Sequence, residues 1–327
     1  MADPNVADAP AKPARSADLA LALASLLAFA AIAELTVRGL GLGGVQPSGY
    51  APINTSLRAN RRENARGFRD EERTFEKPPG TRRVVCVGDS FTWGHGVEME
   101  DAYPRRLERL LSVKRGEPWQ AINLAKEGAD TVDEGAVLAS EGLEYQPDIV
   151  LLGYVLNDAE DEAARKERQA VWDDRRLAPA LLWNHCALYR FIGGRLWATR
   201  DNREREHEYH QLFTDASPGW QASRKALFAM AARCAQARVP LAVAIFPLFA
   251  NPLDQRYPFK EIHAKVARAA TEAGATPIDL YPAYQNLRWE LLVVDGAWDE
   301  HPNEVAHRIA ARFLADEIDK LVPKPRG

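Results

Sequence analysis

The chain is expected to fold as an α/β domain on a parallel sheet with helices on both faces, and three observations point there. From Arg83 onward, short apolar runs alternate with stretches of helical spacing. The runs show no polar face, which is how strands read when helices cover both sides of a parallel sheet. Breakers such as Gly88 and Pro147-Asp148 punctuate them.

Taken in order, Val84-Val85-Cys86-Val87 is a fully apolar strand ended by Gly88, and Tyr103 to Leu111 has helical spacing. Ala121-Ile122-Asn123-Leu124 reads as a second strand and Val132 to Leu143 as a helix. Ile149 to Leu156, after Pro147-Asp148, is the strongest strand candidate. Val239 to Phe246 and Thr276 to Leu280 are further strands, with helices near 222–237 and 258–273, and Asn303 to Leu321 is a final amphipathic helix. These elements make a domain over 82–323. A charged, helical insertion covers about 159–221 and holds Trp172, Trp183, Trp197 and Trp220. Its apolar middle, Leu181 to Trp197, either packs the insertion onto the domain or forms a lid or acceptor surface over the strand ends.

The amino terminus differs in kind. Residues 1–16 are rich in Ala, Pro and Asp and are expected to be disordered. Leu19 to Ala33 carries no charge, and a hydrophobic helix over 17–42 reaches the ~20 residues of a bilayer span only by including Glu34 and Arg38. Three readings compete: an uncleaved membrane anchor, a signal peptide cut after Ala31-Ile32-Ala33, and a soluble helix. Lys12 and Arg15 before the run, against Arg38 after it, favour an outside carboxyl terminus. Residues 43–81 read as a linker or extended lead-in.

Among 327 residues, 46% are hydrophobic and 27% charged, as in ordinary globular proteins, with a net charge of −4. That balance argues against a nucleic-acid partner, since phosphate binding needs a concentrated basic face. The Arg-rich stretch Arg58 to Arg83 is interleaved with Glu63, Asp70, Glu71, Glu72 and Glu76, and reads as a mixed-sign surface. Cys86, Cys186 and Cys234 are too few and too widely spaced for a disulfide framework or a CxxC metal site.

Four segments carry chemistry. In Gly88-Asp89-Ser90-Phe91 a serine follows a buried strand, where its hydroxyl meets the mouth of the sheet; the alternative is a helix N-cap. Asn123 to Ala129 follows the second strand, and Gly128 there lets a backbone N–H approach a ligand, unless it is a plain turn glycine. Asn157 closes the third strand in Gly153-Tyr154-Val155-Leu156-Asn157-Asp158, as a neutral donor suited to an oxyanion or as an Asx-turn. His301, in Trp298-Asp299-Glu300-His301-Pro302-Asn303, lies in a loop two residues after Asp299, whose carboxylate would orient the ring; Asn303 or Asp299 caps the next helix. Gly94-His95-Gly96 reads as a turn, His207 and His210 as a helix face without a third metal ligand, and His307 as a packing residue.

The four segments fall at strand ends or just before the last helix, so the fold converges them on one rim. In that order, GDSFTWGHGV, NLAKEGADT, GYVLND and DEHPNEVAH resemble the SGNH/GDSL hydrolase family over about residues 60–320. The lead-in Asn64 to Asp70 and the preceding apolar helix resemble its membrane-tethered or exported bacterial members. The resemblance implies a three-layer α/β/α sandwich with a flavodoxin-like sheet, and a serine hydrolase that needs no metal or cofactor. By it Ser90 is the nucleophile and His301 the general base, and the backbone N–H groups of Ser90 and Gly128 with the Asn157 side chain form the oxyanion hole. Many members place the acid three residues before the histidine, where this chain has Trp298. Asp299 is then the better candidate, Asp295 the fallback, and a Ser-His dyad the remaining option. The expected reaction is hydrolysis of a carboxylic ester through an acyl-enzyme. O-acetyl groups on envelope or secreted glycans are the first substrate, with an O-acetyltransferase, a lysophospholipase or a thioesterase as alternatives. A non-catalytic glycan-binding or scaffold subunit is the reading from another class.

Overall fold

The computed structural model describes residues 15–40, 62–161, 166, 182, 185–249, 251–295 and 299–323. They fall into two compact units, one drawn from 1–50 and 177–196, the other from 51–176 and 197–327.

In the first unit, helix α1 (Arg15–Gly39) carries the apolar run. Leu19, Leu26, Leu27, Phe29, Ile32 and Leu35 are 64–70% exposed, so the apolar surface goes all round rather than facing a core. The helix from Asp18 to Gly39 is long and apolar enough to cross a membrane. The acid near its carboxyl end is fully partnered. Glu34 Oε1 pairs with Arg38 at 2.6 Å and accepts from Ala187 N at 2.8 Å, and its Oε2 accepts from Leu188 N at 2.6 Å. Arg38 also donates to His185 O at 2.6 Å. The carboxylate thereby satisfies two orphan N–H groups at the start of helix α5 (Ala187–Leu212), where negative charge is favoured.

The second unit holds a five-stranded parallel sheet. Its strands are β1 (Arg82–Gly88), β2 (Trp119–Asn123), β3 (Ile149–Tyr154), β4 (Leu241–Ile245) and β5 (Thr276–Asp279). The order is β2-β1-β3-β4-β5, the flavodoxin-like arrangement, with all pairs parallel. Helix α3 (Tyr103–Arg115) and the short α8 (Tyr281–Tyr284) pack with α9 (Glu304–Leu321); α6 (Pro218–Ala237) packs with α4 (Thr131–Val137) and with α7 (Lys260–Ala273). Val84 to Val87, Ile149 to Leu152 and Leu241 to Ile245 are buried along their whole length, as strands between two helical layers must be.

Three local features depart from the sequence expectation. A short helix, α2 (Ser90–Trp93), starts at the serine itself, with Asp89 rather than Ser90 as its N-cap. His301 lies not in a loop but in β7 (Asp299–Pro302), which pairs antiparallel with β6 (Val293–Asp295). These strands are too short and polar to show a period of two. Finally, Phe68, Arg69 and Asp70 of the expected lead-in are buried in the domain, because Arg69 and Asp70 satisfy backbone groups around α2 and β2. Trp220 packs on Phe213 with ring centroids 5.2 Å apart. Trp172 and Trp183 and the side chain of Trp197 lie outside the described residues.

Candidate active site

The strand order reverses between β1 and β3, and their carboxyl ends form the crevice where open α/β sheets bind ligands. Gly88 and Gly153 are register partners there. A Cβ on either would lie 2.1 or 2.2 Å from Thr92 Oγ1. Two missing side chains thus leave a notch into which α2 drops Thr92, which hydrogen-bonds Tyr103 Oη at 2.9 Å. Ser90 is thereby seated on the rigid sheet rather than on a free loop. Asp89 Oδ1 accepts from Phe91 N at 2.9 Å and caps the helix start. At the other end, Arg69 donates to Gly94 O at 2.6 Å and to Val97 O at 2.5 Å, taking up carbonyls where the helix stops.

Ser90 Oγ lies 2.9 Å from His301 Nε2, which is hydrogen-bond distance across 211 residues of sequence. Asn303, two residues on, accepts from Val305 N and Ala306 N and caps α9. Its amide donates to Leu291 O and Val293 O, both at 3.0 Å, and so ties the His301 strand to β6. Beside His301, Glu300 pairs with Arg205 of α5.

Asn157 sits in a 3-10 turn, Leu156–Ala159, directly after β3. Its Nδ2 donates to Asp89 Oδ2 at 3.3 Å, which aims the amide at the Ser90 end of the crevice. Gly128 has φ +73°, a conformation only glycine adopts freely, in the loop after β2. Lys126 N bonds Gly88 O at 3.1 Å and fixes that loop against the end of β1. Ser90 Oγ also lies 3.4 Å from Asp89 Oδ2, so His301, Ser90 and Asn157 are linked through Asp89, and the Gly128 loop is sewn beside them. Asp295 and Asp299 are register partners across β6 and β7, and their side chains lie outside the described residues.

Behind the site, burial dominates the electrostatics. Asp89, Glu134 and Asp158 are all at or below 2% exposure. Burial raises each above the usual carboxyl range, reinforced for Glu134 by the charge of Asp89 and for Asp158 by those of Glu134 and Asp89. His307 is buried too, pushed down to about 3 by burial and then by Arg106 and Arg69. It accepts from Tyr103 N through Nδ1 at 3.2 Å, as a packing residue between α3 and α9.

The sequence matches the GDSL-like lipase/acylhydrolase family over residues 86–309. The chain belongs to that family. It is an ester-hydrolysing enzyme. No curated protein matches it. Among solved structures, the GDSL-like chain is similar to the lipase/acylhydrolase from Enterococcus faecalis at 16% identity, covering 75% of this chain and 100% of that one, with TM-score 0.46. The esterase EstA from Pseudoalteromonas sp. aligns at 15% identity over 73% and 98%, with TM-score 0.43. A catalytic mutant of the acetylxylan esterase Axe2 from Geobacillus stearothermophilus aligns at 16% over 72% and 94%, with TM-score 0.45.

Sequence reasoning missed several residues in this GDSL-like site. Asp89 was legible in principle, since an Asp just before a helix start is a capping signal. Arg69 had no local signal because its partners are distant in the chain, and Glu134 had none because one acid in a helix looks like any solvated one.

Proposed function

We propose that Ser90 is the nucleophile of an acyl-transfer reaction and His301 its general base. The observation that carries this is the 2.9 Å contact between Ser90 Oγ and His301 Nε2 at the switch point of the sheet. His301 takes the Ser90 proton as Oγ forms a bond to the ester carbonyl carbon. The backbone N–H groups of Ser90 and Gly128 and the Asn157 amide stabilise the tetrahedral oxyanion, at roughly 3–4 kcal/mol for a donor of this kind. The C–O bond to the leaving alcohol breaks as His301 passes the proton to that oxygen. Water then repeats the sequence and frees Ser90. Asp299 is proposed as the carboxylate that orients His301, with Asp295 opposite it in the register as the fallback.

The acyl group we propose is small, an O-acetyl ester on an envelope or secreted glycan. That reading rests on α1 as a retained membrane anchor with the domain outside the cytoplasm. Supporting retention, the Glu34 carboxylate caps α5, and cleavage after Ala33 would strip away the helix that presents it.

The test is hydrolysis of p-nitrophenyl acetate, butyrate and octanoate by the full chain beside Ser90→Ala and His301→Ala. Acetate-selective turnover that falls roughly 10³-fold or more in both variants is expected. Undiminished turnover by Ser90→Ala sinks the nucleophile assignment, and a preference for octanoate moves the substrate to lipids.

A further inference from the structure

Besides Ser90, the His301 ring has ring neighbours. Phe91 lies 5.6 Å away, centroid to centroid, tilted by 59°. His95 lies closer, at 4.2 Å with 33° between the planes, a close tilted contact. His95 in turn is hydrogen-bonded through Nδ1 to Oε1 of Glu127. Glu127 directly precedes Gly128 in the loop after β2. A short chain of contacts thus runs from the oxyanion loop, through His95 of the nucleophile segment, to the imidazole of His301.

We propose that His95 and Glu127 are a positioning pair: Glu127 fixes the plane of the His95 ring, and that ring holds the His301 imidazole in register with Ser90. This rests on the assignment of Ser90 and His301 above. The need for such a device follows from the fold. His301 is carried by a two-stranded ribbon outside the five-stranded sheet, and a two-stranded ribbon is marginal by itself. Its backbone is tied down by Asn303, and Ser90 and the proposed Asp299 partner act at the ring nitrogens, in the plane of the ring. His95, at 4.2 Å, adds a contact on the ring's face, which those in-plane hydrogen bonds do not reach. An imidazole suits this position better than a phenyl ring, because Nδ1 offers a hydrogen bond that stops the ring from turning. The same pair answers the charge of the reaction. When His301 accepts the Ser90 proton, positive charge appears beside His95, and the Glu127 carboxylate is bonded to that ring. The contact of His95 with this site is with the His301 ring, so its proposed effect passes through His301.

The experiment compares His95→Ala, His95→Phe, Glu127→Ala and the His95→Ala/Glu127→Ala double variant in the full chain, with His301→Ala and thermal unfolding alongside. His95→Ala is expected to lower kcat roughly 10- to 100-fold, the cost of a base displaced by about an ångström. KM should stay within about twofold, since no substrate contact is removed. His95→Phe restores part of kcat, because it restores the ring but not the bond to Glu127. The double variant is no worse than His95→Ala, as expected of residues acting in one chain. The rate of fluorophosphonate labelling at Ser90 should fall in parallel, whatever the natural ester. An unchanged kcat in His95→Ala overturns the proposal, as does a loss confined to KM or a His95→Phe variant as slow as His95→Ala. If His301→Ala is inactive while His95→Ala is normal, only the pair fails; if His301→Ala retains turnover, the base assignment fails first.

Discussion

Asp89 carries two structural duties through two oxygens: one caps the helix that begins at Ser90, the other holds the amide of Asn157. Its neighbours explain why such an arrangement is costly. Glu134 is 2% exposed, and neither of its oxygens has a hydrogen-bond partner among the described residues. A buried, unpartnered carboxyl favours its protonated form. Because the folded state then holds the proton more tightly than the unfolded chain, stability is full below the unfolded value of 4.5 and declines as pH rises toward the raised folded value. Glu134→Gln keeps the shape and removes the ionisation. Its thermal midpoint should exceed that of the parent at pH 8 by about 2–4 °C, a gain near 1 kcal/mol, and the gap should close at pH 4. Calorimetry at the two pH values checks this; a lower midpoint for the variant at pH 8 would contradict it. Ser90, Asn157 and His301 could be singled out as candidates because their chemical types stand after the first and third strands and just before the last helix. Glu134 was not, since one acid in an amphipathic helix looks like any solvated one.

At the scale of elements, the five strands were legible and the two smallest features were not. Val84 to Val87 or Ile149 to Leu152 announce themselves by unbroken apolarity, which only burial on both faces explains. Helix α2 has four residues, too few for any periodicity, and exists because Asp89 and Arg69 satisfy its ends. Its seat is the glycine notch. Gly153→Ala would put a Cβ 2.2 Å from Thr92 Oγ1 and 2.8 Å from Tyr103 Oη, both buried and held to each other. Overpacking of this kind costs about 1–3 kcal/mol, and because α2 carries Ser90 the strain should also lower esterase turnover. Urea unfolding with ester assays checks both, and Thr92→Ala in the same background should recover part of each loss. A Gly153→Ala protein as stable and active as its parent would remove the notch from the argument.

For the whole molecule, the two units pose different physical problems. The sheet unit buries its apolar residues in its own core. In the other unit α1 leaves its leucines exposed, and water is a poor solvent for a helix that is apolar all round. The full chain is therefore expected to stay with membranes through alkaline carbonate washing, with its amino-terminal residues intact by mass spectrometry. A soluble chain beginning at Glu34 would identify a cleaved signal instead.

The order of apolar runs was enough to determine the parallel sheet, and four short segments on it were enough to nominate a candidate site, because both depend on residue type and spacing along the chain. The tertiary structure alone decided that His301 stands on a strand, that Arg69 stops the helix beginning at Ser90 and that Glu34 caps α5. It alone brought His95 onto His301. The strand of His301 belongs to a ribbon too short to show a period, and the other three are contacts between residues far apart in sequence, chosen by how the packed elements meet, which no local pattern encodes.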